Sequence, residues 1–195
     1  MSAAGRFDLL TAGHSNHPLE RFLELLKSAS VRCVVDVRSR PFSRRFPWFS
    51  QPRLAGHLQS RGIAYAASGD TLGGRPTDPS LLRDGMADYA AVAQTARFRG
   101  GLGHVIGLGR EQCVCLMCAE REPLDCHRCL LIARALAEQD LAIGHILADG
   151  SIESHAATED RLLALTKTGA DLFVDRRAQV AEAYRRRARG VAFRG

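Results

Sequence analysis

Residues 7–38, FDLLTAGHSNHPLERFLELLKSASVRCVVDVR, decide the fold of this protein. The apolar run from Phe7 to Ala12 is typical of a short buried strand, and a polar turn at residues 13–15 ends it. After Pro18, large apolar side chains recur at helical spacing, and a second apolar, β-branched run occupies residues 33–37. A strand, a helix and a second strand in this order predict two parallel strands joined by a crossover helix.

The rest of the sequence repeats this alternation. The further predicted elements are helices near residues 52–61, 86–97, 101–109 and 127–138 and strands near residues 62–66, 112–117 and 143–147. Because helices separate successive strands, we expect a single-domain α/β fold, a mainly parallel sheet with helices on both faces in a Rossmann-like three-layer arrangement. Residues 1–150 would form this domain and carry the site. Residues 151–195 would form a C-terminal helical extension with an arginine-rich helix from about Asp175.

The composition is that of one globular domain. A chain of 195 residues, 46% of them hydrophobic, is long enough for one sizeable core, and two full domains are not expected. It has no apolar run of the roughly 20 residues that a membrane span needs, and its first residues lack the pattern of a secretion signal. These features predict a cytoplasmic protein without membrane contact, and they leave the oligomeric state open.

The net charge of +6 is carried almost entirely by arginine, since Lys27 and Lys167 are the only lysines. Arginine binds phosphate and carboxylate groups through paired hydrogen bonds, so an anionic small molecule or a nucleic acid is an expected partner. A general preference for arginine over lysine explains the same composition equally well, and +6 is modest beside a dedicated nucleic-acid binder.

Side chains of different chemistry follow the predicted strands at their carboxyl ends, where open α/β sheets bind ligands. His14 follows the first strand, Arg38 the second and Cys118 the fourth, while Gly73 and Gly74 lie in a glycine-rich loop after the third. A lone histidine in such a turn is equally explained as part of a helix cap. Several independent groups at one edge, however, predict a site there.

Five of the six cysteines lie between residues 113 and 129, a clustering that favours catalysis or metal binding over dispersed disulfides. Cys118 falls where a strand ends. Cys126 precedes a predicted helix, whose N-terminal dipole stabilises a thiolate, and His127 and Arg128 add positive charge beside it. We therefore expect a lowered thiol pKa at Cys126 and, to a lesser degree, at Cys118, although the acidic residues of the same loop act against this shift.

Three interpretations of this cluster remain open. A thiol enzyme would use Cys118 or Cys126 as nucleophile and His14 or His127 as acid or base. A metal protein would bind zinc or iron through the same side chains. Two Cys-x-x-Cys pairs in the segment resemble a four-cysteine zinc module, but one pair lies in a strand and the other enters a helix, so four sulfurs are not expected to converge. Buried cysteines without a chemical role are the third interpretation, which suits Cys33, Cys113 and Cys115.

Residues 36–49, DVRSRPFSRRFPWF, interleave four arginines with aromatic residues and prolines. Arginine binds phosphate oxygens and aromatic rings stack on bases, so this loop suits a nucleotide or a single-stranded nucleic acid. The alternative is that Asp36 pairs with one arginine while the aromatic side chains cover the core. The arginine-rich C-terminal helix likewise has two interpretations, a solvated helix or an arm that binds nucleic acid.

Several short motifs together resemble the bacterial domain of unknown function 488 family. They are TAGHS at 11–15, VDVRS at 35–39 with Pro41, Ser43, Arg44 and Pro47, LGG at 72–74, LMCAE at 116–120, and CHR at 126–128. The match is ordered and spans about residues 7–146. It implies an α/β domain in which a histidine, arginines and two cysteines recur together, and the family name states that no activity is settled. The residues that match are His14, Asp36, Arg38, Ser43, Arg44, Cys118, Glu120, Cys126, His127 and Arg128.

The favoured hypothesis is an enzyme that acts on an anionic, nucleotide-like or nucleic-acid-like substrate by thiol chemistry. Its expected catalytic residues are Cys118, Cys126, His127 and His14. Its expected substrate-binding residues are Arg38, Ser43, Arg44, Gly73, Gly74, Glu120 and Arg128. No cofactor and no metal ligand is assigned. The alternatives are a nucleic-acid-binding module that uses the arginine-rich loop and tail, and a Cys/His metal-binding protein.

Overall fold

The computed structural model describes residues 7–169 and 174–195. The strands are β1 (Leu9–Gly13), β2 (Cys33–Asp36), β3 (Ala64–Ala67), β4 (Leu82–Arg83), β5 (Met86–Ala87), β6 (Val114–Cys118), β7 (Ile143–Ile146) and β8 (Ile152–Ser154). The helices are α1 (Leu19–Ser28), α2 (Gln51–Gln59), α3 (Gly69–Leu72), α4 (Tyr89–Gln94), α5 (Ala96–Glu111), α6 (Arg134–Ala137), α7 (His155–Thr166) and α8 (Arg176–Val191). A π-helical segment, Arg128–Ala133, leads into α6, and single 3-10 turns lie at Pro47–Phe49, Pro79–Leu81 and Pro123–Asp125.

Six strands form one mainly parallel sheet in the order β3-β2-β6-β1-β7-β8. The five predicted strands are present as β1, β2, β3, β6 and β7, all parallel to one another, and β8 pairs antiparallel with β7. Strand β6 enters between β1 and β2, so the carboxyl ends of these three strands are adjacent. The predicted α/β fold is confirmed.

Helices cover both faces of the sheet, as the three-layer prediction requires. Alternate side chains of β6 point to opposite faces, so Leu116 packs on one side and Met117 on the other. The face with Met117 is covered by α1 and α2 through residues such as Phe22 and Leu54. The face with Leu116 is covered by α5 and the segment at residues 128–137.

The C-terminal segment packs against the sheet domain through a small third cluster centred on Tyr184, which is buried in α8. The predicted arginine-rich helix is present as α8, and Asp175 caps its start by accepting a hydrogen bond from the backbone N–H of Ala178. Before it, β8 joins the edge of the sheet. The expected division of the chain at residue 150 stays a prediction.

The structure differs from the prediction in two helical segments. The continuous helix expected near residues 86–97 is instead the hairpin strand β5 and the short helix α4, because Asp88 and Thr95 each cap a new helix and break the run. The helix expected at residues 127–138 begins as the π-helical segment. None of the helices in the described ranges is both long and apolar enough to cross a bilayer.

Candidate functional site

The carboxyl ends of β1, β2 and β6 bring three of the predicted site residues together. The backbone N–H of His14 donates to the carbonyl of Cys118 at 2.9 Å, which continues the ladder between β1 and β6 beyond the strands. Arg38, two residues after β2, reaches the side chain of His14. Both His14 and Arg38 are buried.

Arg38 is held by a buried ion pair with Asp36. Its Nε donates to Oδ1 of Asp36 at 2.8 Å and one terminal nitrogen donates to Oδ2 at 2.6 Å. The same terminal nitrogen also donates to the carbonyl of Phe49 at 2.8 Å, and Tyr65 donates its hydroxyl hydrogen to Oδ2 of Asp36 at 2.7 Å. Asp36 thus fixes the plane of the guanidinium, as the internal-pairing interpretation of this loop expects.

His14 has a partner on each ring nitrogen. Its Nδ1 lies 2.9 Å from the carbonyl oxygen of Ser15, and its Nε2 lies 3.1 Å from a terminal nitrogen of Arg38. The ring stacks on Phe49 with 4.2 Å between centroids. Burial, and then the charge of Arg38, lower the pKa of His14 to about 4. The neutral ring therefore donates to Ser15 and accepts from Arg38, and these contacts position the arginine.

Cys118, Cys126 and His127 form a compact cluster at the same edge. His127 Nδ1 lies 3.6 Å from Cys118 Sγ and 3.9 Å from Cys126 Sγ. Its Nε2 lies 3.0 Å from the carbonyl oxygen of Val37, which fixes the ring with Nδ1 facing the sulfurs. One carboxylate oxygen of Glu120 lies 3.1 Å from each sulfur.

The two thiols of this cluster have opposite pKa shifts. Burial would raise the pKa of Cys126, but the hydrogen bond from Cys118, the charge of Arg128 and His127 lower it well below its usual value. The hydrogen bond to Cys126, together with burial, raises the pKa of Cys118 well above its usual value. The cluster thus favours a thiolate at Cys126 and a thiol at Cys118. The direction at Cys126 is the expected one, whereas that at Cys118 is opposite to the expected lowering, because its hydrogen bond to Cys126 and its burial both favour the protonated form.

Arg128 lies in the protein interior next to the cluster and does not line the cavity that opens over it. Its side chain is fully buried, and its two terminal nitrogens donate to the carbonyls of Glu120 at 2.6 Å and Arg121 at 2.9 Å. Its Nε has no hydrogen-bond partner within the described ranges. Arg128 therefore fastens the loop after β6, and Gly13 allows this approach because a Cβ there would collide with the carbonyl oxygen of Glu120.

A cavity of about 400 Å³ opens over the cluster. Cys118, Cys126 and His127 line its floor. Other predicted site residues that line it are His14, Arg38, Ser43, Gly74 and Glu120. Gly73, Arg44 and Arg128 are not among its lining residues; Gly73 packs against Ser39 and Arg44 is exposed to solvent.

Sequence reasoning missed several residues of the cavity rim. Arg40 and Arg75 line it, and neither has a carboxylate within 4.0 Å in the part of the chain that the structure describes. Phe42, also at the rim, is 71% exposed. Tyr89 and Phe193 come from distant segments whose sequence carries no motif. Arg40 and Phe42 belong to the arginine-rich loop, but its pattern does not say which of its arginines face inward.

Most arginines of the tail helix are engaged within the chain. Arg185 and Arg186 both pair with Glu182, and Arg187 pairs with Asp125 and donates to the carbonyl of Leu124. Arg176 pairs with Asp160. These contacts favour the interpretation of α8 as a solvated, intramolecularly paired helix over that of a nucleic-acid-binding arm.

Comparison with known proteins identifies a family. No curated protein and no solved structure matches the chain. A family model described as Domain of unknown function DUF488 matches residues 18–135, which include the arginine-rich loop, both cysteines of the cluster and His127. This match covers more than half of the 195 residues, and the chain therefore belongs to the DUF488 family.

Proposed function

We propose that this protein is an enzyme whose nucleophile is the thiolate of Cys126 and whose substrate is an anion. The observation that carries the proposal is the buried charge of Arg128. No carboxylate among the described residues lies within 4.0 Å of its guanidinium, and the side chain is fully buried. A buried cation needs a nearby negative charge. Burial works against the charge of Arg128, but Cys126 raises its pKa, and the backbone N–H of Arg128 contacts Cys126 Sγ at 3.5 Å. A thiolate at Cys126 would supply the counter-charge.

The neighbours of Cys126 suit nucleophilic substitution. The sulfur would form a bond to the electrophilic atom of the substrate while the bond to the leaving group breaks. Burial would lower the pKa of His127, but Cys126 raises it, so the protonated ring stabilises the thiolate. Burial and the charge of Cys126 raise the pKa of Glu120, which lets its carboxyl group deliver a proton to the leaving group. Water would then release the covalent adduct.

The rim of the cavity supports an anionic substrate that carries a planar group. Arg40 and Arg75 are exposed cations without acidic partners in the described ranges, and arginine binds phosphate oxygens in pairs. Phe42 exposes its ring at the same rim, where a base or another flat group stacks. Arg38 is engaged by Asp36, so its role is to shape the floor together with His14.

Alkylation of the thiols tests this proposal. We expect iodoacetamide to modify Cys126 about tenfold faster than the more accessible Cys113 at neutral pH, because the thiolate is the reactive form and burial raises the pKa of Cys113. The rate at Cys126 should reach half its maximum at a pH well below the pKa of an ordinary cysteine, and His127→Phe should move that midpoint upward. Peptide mass spectrometry reads the modified positions.

The same assay tests the substrate class. Inorganic pyrophosphate should slow alkylation of Cys126 in the wild-type chain and lose this effect in the double variant Arg40→Ala/Arg75→Ala. Arg110→Ala, which removes an exposed arginine outside this cavity, is the matched control and should retain protection. Equal alkylation rates at Cys126 and Cys113 would rule out a thiolate at Cys126. Protection that persists in the double variant would show that Arg40 and Arg75 do not bind the pyrophosphate.

A metal site at the same cluster is the second candidate function. One donor atom each from Cys118, Cys126 and His127 lies within 4.8 Å of the other two, and two cysteines with one histidine bind catalytic zinc with an open fourth position. The contact of His127 Nε2 with the Val37 carbonyl is of the kind that orients metal-binding histidines. Zinc titration followed by native mass spectrometry distinguishes the two candidates. An equivalent of zinc that Cys118→Ser loses would favour the metal.

A further inference from the structure

A second cluster of sulfur and imidazole donors lies outside the cavity. One donor atom each of Cys129, His145 and His155 lies within 4.8 Å of the other two. All three side chains are buried, and none lines the cavity over Cys126. The π-helical segment, β7 and the first residue of α7 supply one of them each. The fold thus brings together three potential metal ligands that are separated in the sequence.

A hydroxyl group contacts one ring nitrogen of each of the two histidines. Thr11 Oγ1 lies 2.8 Å from His145 Nδ1, and the Tyr184 hydroxyl lies 3.0 Å from His155 Nε2. Tyr184 in turn donates to a carboxylate oxygen of Glu159 at 3.1 Å. Each far ring nitrogen therefore has a partner that orients the ring. Outer partners of this kind accompany histidines that bind metal ions.

The two remaining ring nitrogens face each other. His145 Nε2 and His155 Nδ1 are 3.0 Å apart. A single proton shared between them satisfies both nitrogens, but it gives no role to Cys129. The sulfur of Cys129 makes no hydrogen bond within the described ranges, although it lies within 4.8 Å of a ring nitrogen of each histidine. A metal ion, by contrast, uses all three atoms.

We propose that Cys129, His145 and His155 bind a zinc ion. A thiolate and two neutral imidazoles are donors that zinc prefers, and they supply three positions of a tetrahedral set, with a water molecule in the fourth. The three ligands are buried and come from three different elements, so the ion would link these elements. It joins the sheet, through His145, to α7 and to the helical segment that follows Cys126. Tyr184 extends the same support to α8.

The experiment isolates this site from the cluster in the cavity. The double variant Cys118→Ser/Cys126→Ser, which lacks the other cysteine ligands, is incubated with zinc chloride, desalted and weighed by native mass spectrometry. We expect one zinc ion per chain. Adding Cys129→Ser should remove the ion, whereas adding Cys115→Ser should not. Cys115 is an equally buried cysteine whose sulfur hydrogen-bonds to a backbone carbonyl and lies in no metal-binding group of the described residues.

A second measurement needs no substitution among the three ligands. Chelation of zinc from the double variant should lower its thermal midpoint, and returning zinc should restore it. A double variant that is folded by circular dichroism but binds no zinc, or a Cys129→Ser variant that still binds one ion, would overturn the proposal. Alkylation of Cys126 is measured on the wild-type chain, so the thiolate proposal stands or fails separately.

Discussion

Replacing Arg128 by methionine is expected to lower the free energy of unfolding by about 3 to 5 kcal/mol. Methionine matches the apolar part of the side chain, but it leaves the carbonyls of Glu120 and Arg121 without their donors inside the protein. It also removes the positive charge that balances the Cys126 thiolate. Urea unfolding followed by circular dichroism measures the loss.

The control for this variant is Arg110→Met, at an exposed position near the end of α5, where we expect a change of about 0.5 kcal/mol or less. Alkylation gives a second readout, because loss of the Arg128 charge should raise the pH at which Cys126 reacts. A variant as stable as the control, with an unchanged alkylation midpoint, would show that Arg128 balances no thiolate.

Asp36→Asn is expected to cost a similar amount, about 3 to 5 kcal/mol, because it leaves the buried guanidinium of Arg38 without its counter-charge. Asparagine has nearly the same shape, so the loss reports charge and hydrogen bonding rather than packing. It also replaces one of the two oxygens that accept from Arg38 with a donor, which breaks the paired hydrogen bonds.

The matched variant is Asp70→Asn, which neutralises an exposed aspartate 3.9 Å from Arg97 and should leave the stability nearly unchanged. Both variants are compared by their urea midpoints at constant ionic strength. If the midpoints of Asp36→Asn and Asp70→Asn coincide with that of the wild type, the buried pair does not stabilise the fold, and Arg38 is held by its other contacts.

Much of the fold follows from local pattern. The β-branched run at residues 33–37 and the apolar run at 112–117 predict strands because such side chains suit a surface buried on both faces. The prediction of one continuous helix near residues 86–97 was wrong. Asp88 and Thr95 accept hydrogen bonds from backbone N–H groups there, and each starts a new helix. Helical spacing alone does not reveal such competing caps.

The sequence by itself determined the order of strands and helices, the edge of the sheet where polar side chains gather, and membership of the DUF488 family. These depend on hydrophobic periodicity and on short motifs, which are local properties. Only the tertiary structure decided that Arg128 is buried under the site while Arg75 faces the cavity. Direction and burial depend on which distant backbone carbonyls and side chains the fold brings near. The cluster that contains Cys129 and His155 could not be predicted from spacing in the sequence, because three separate elements of the fold meet to form it.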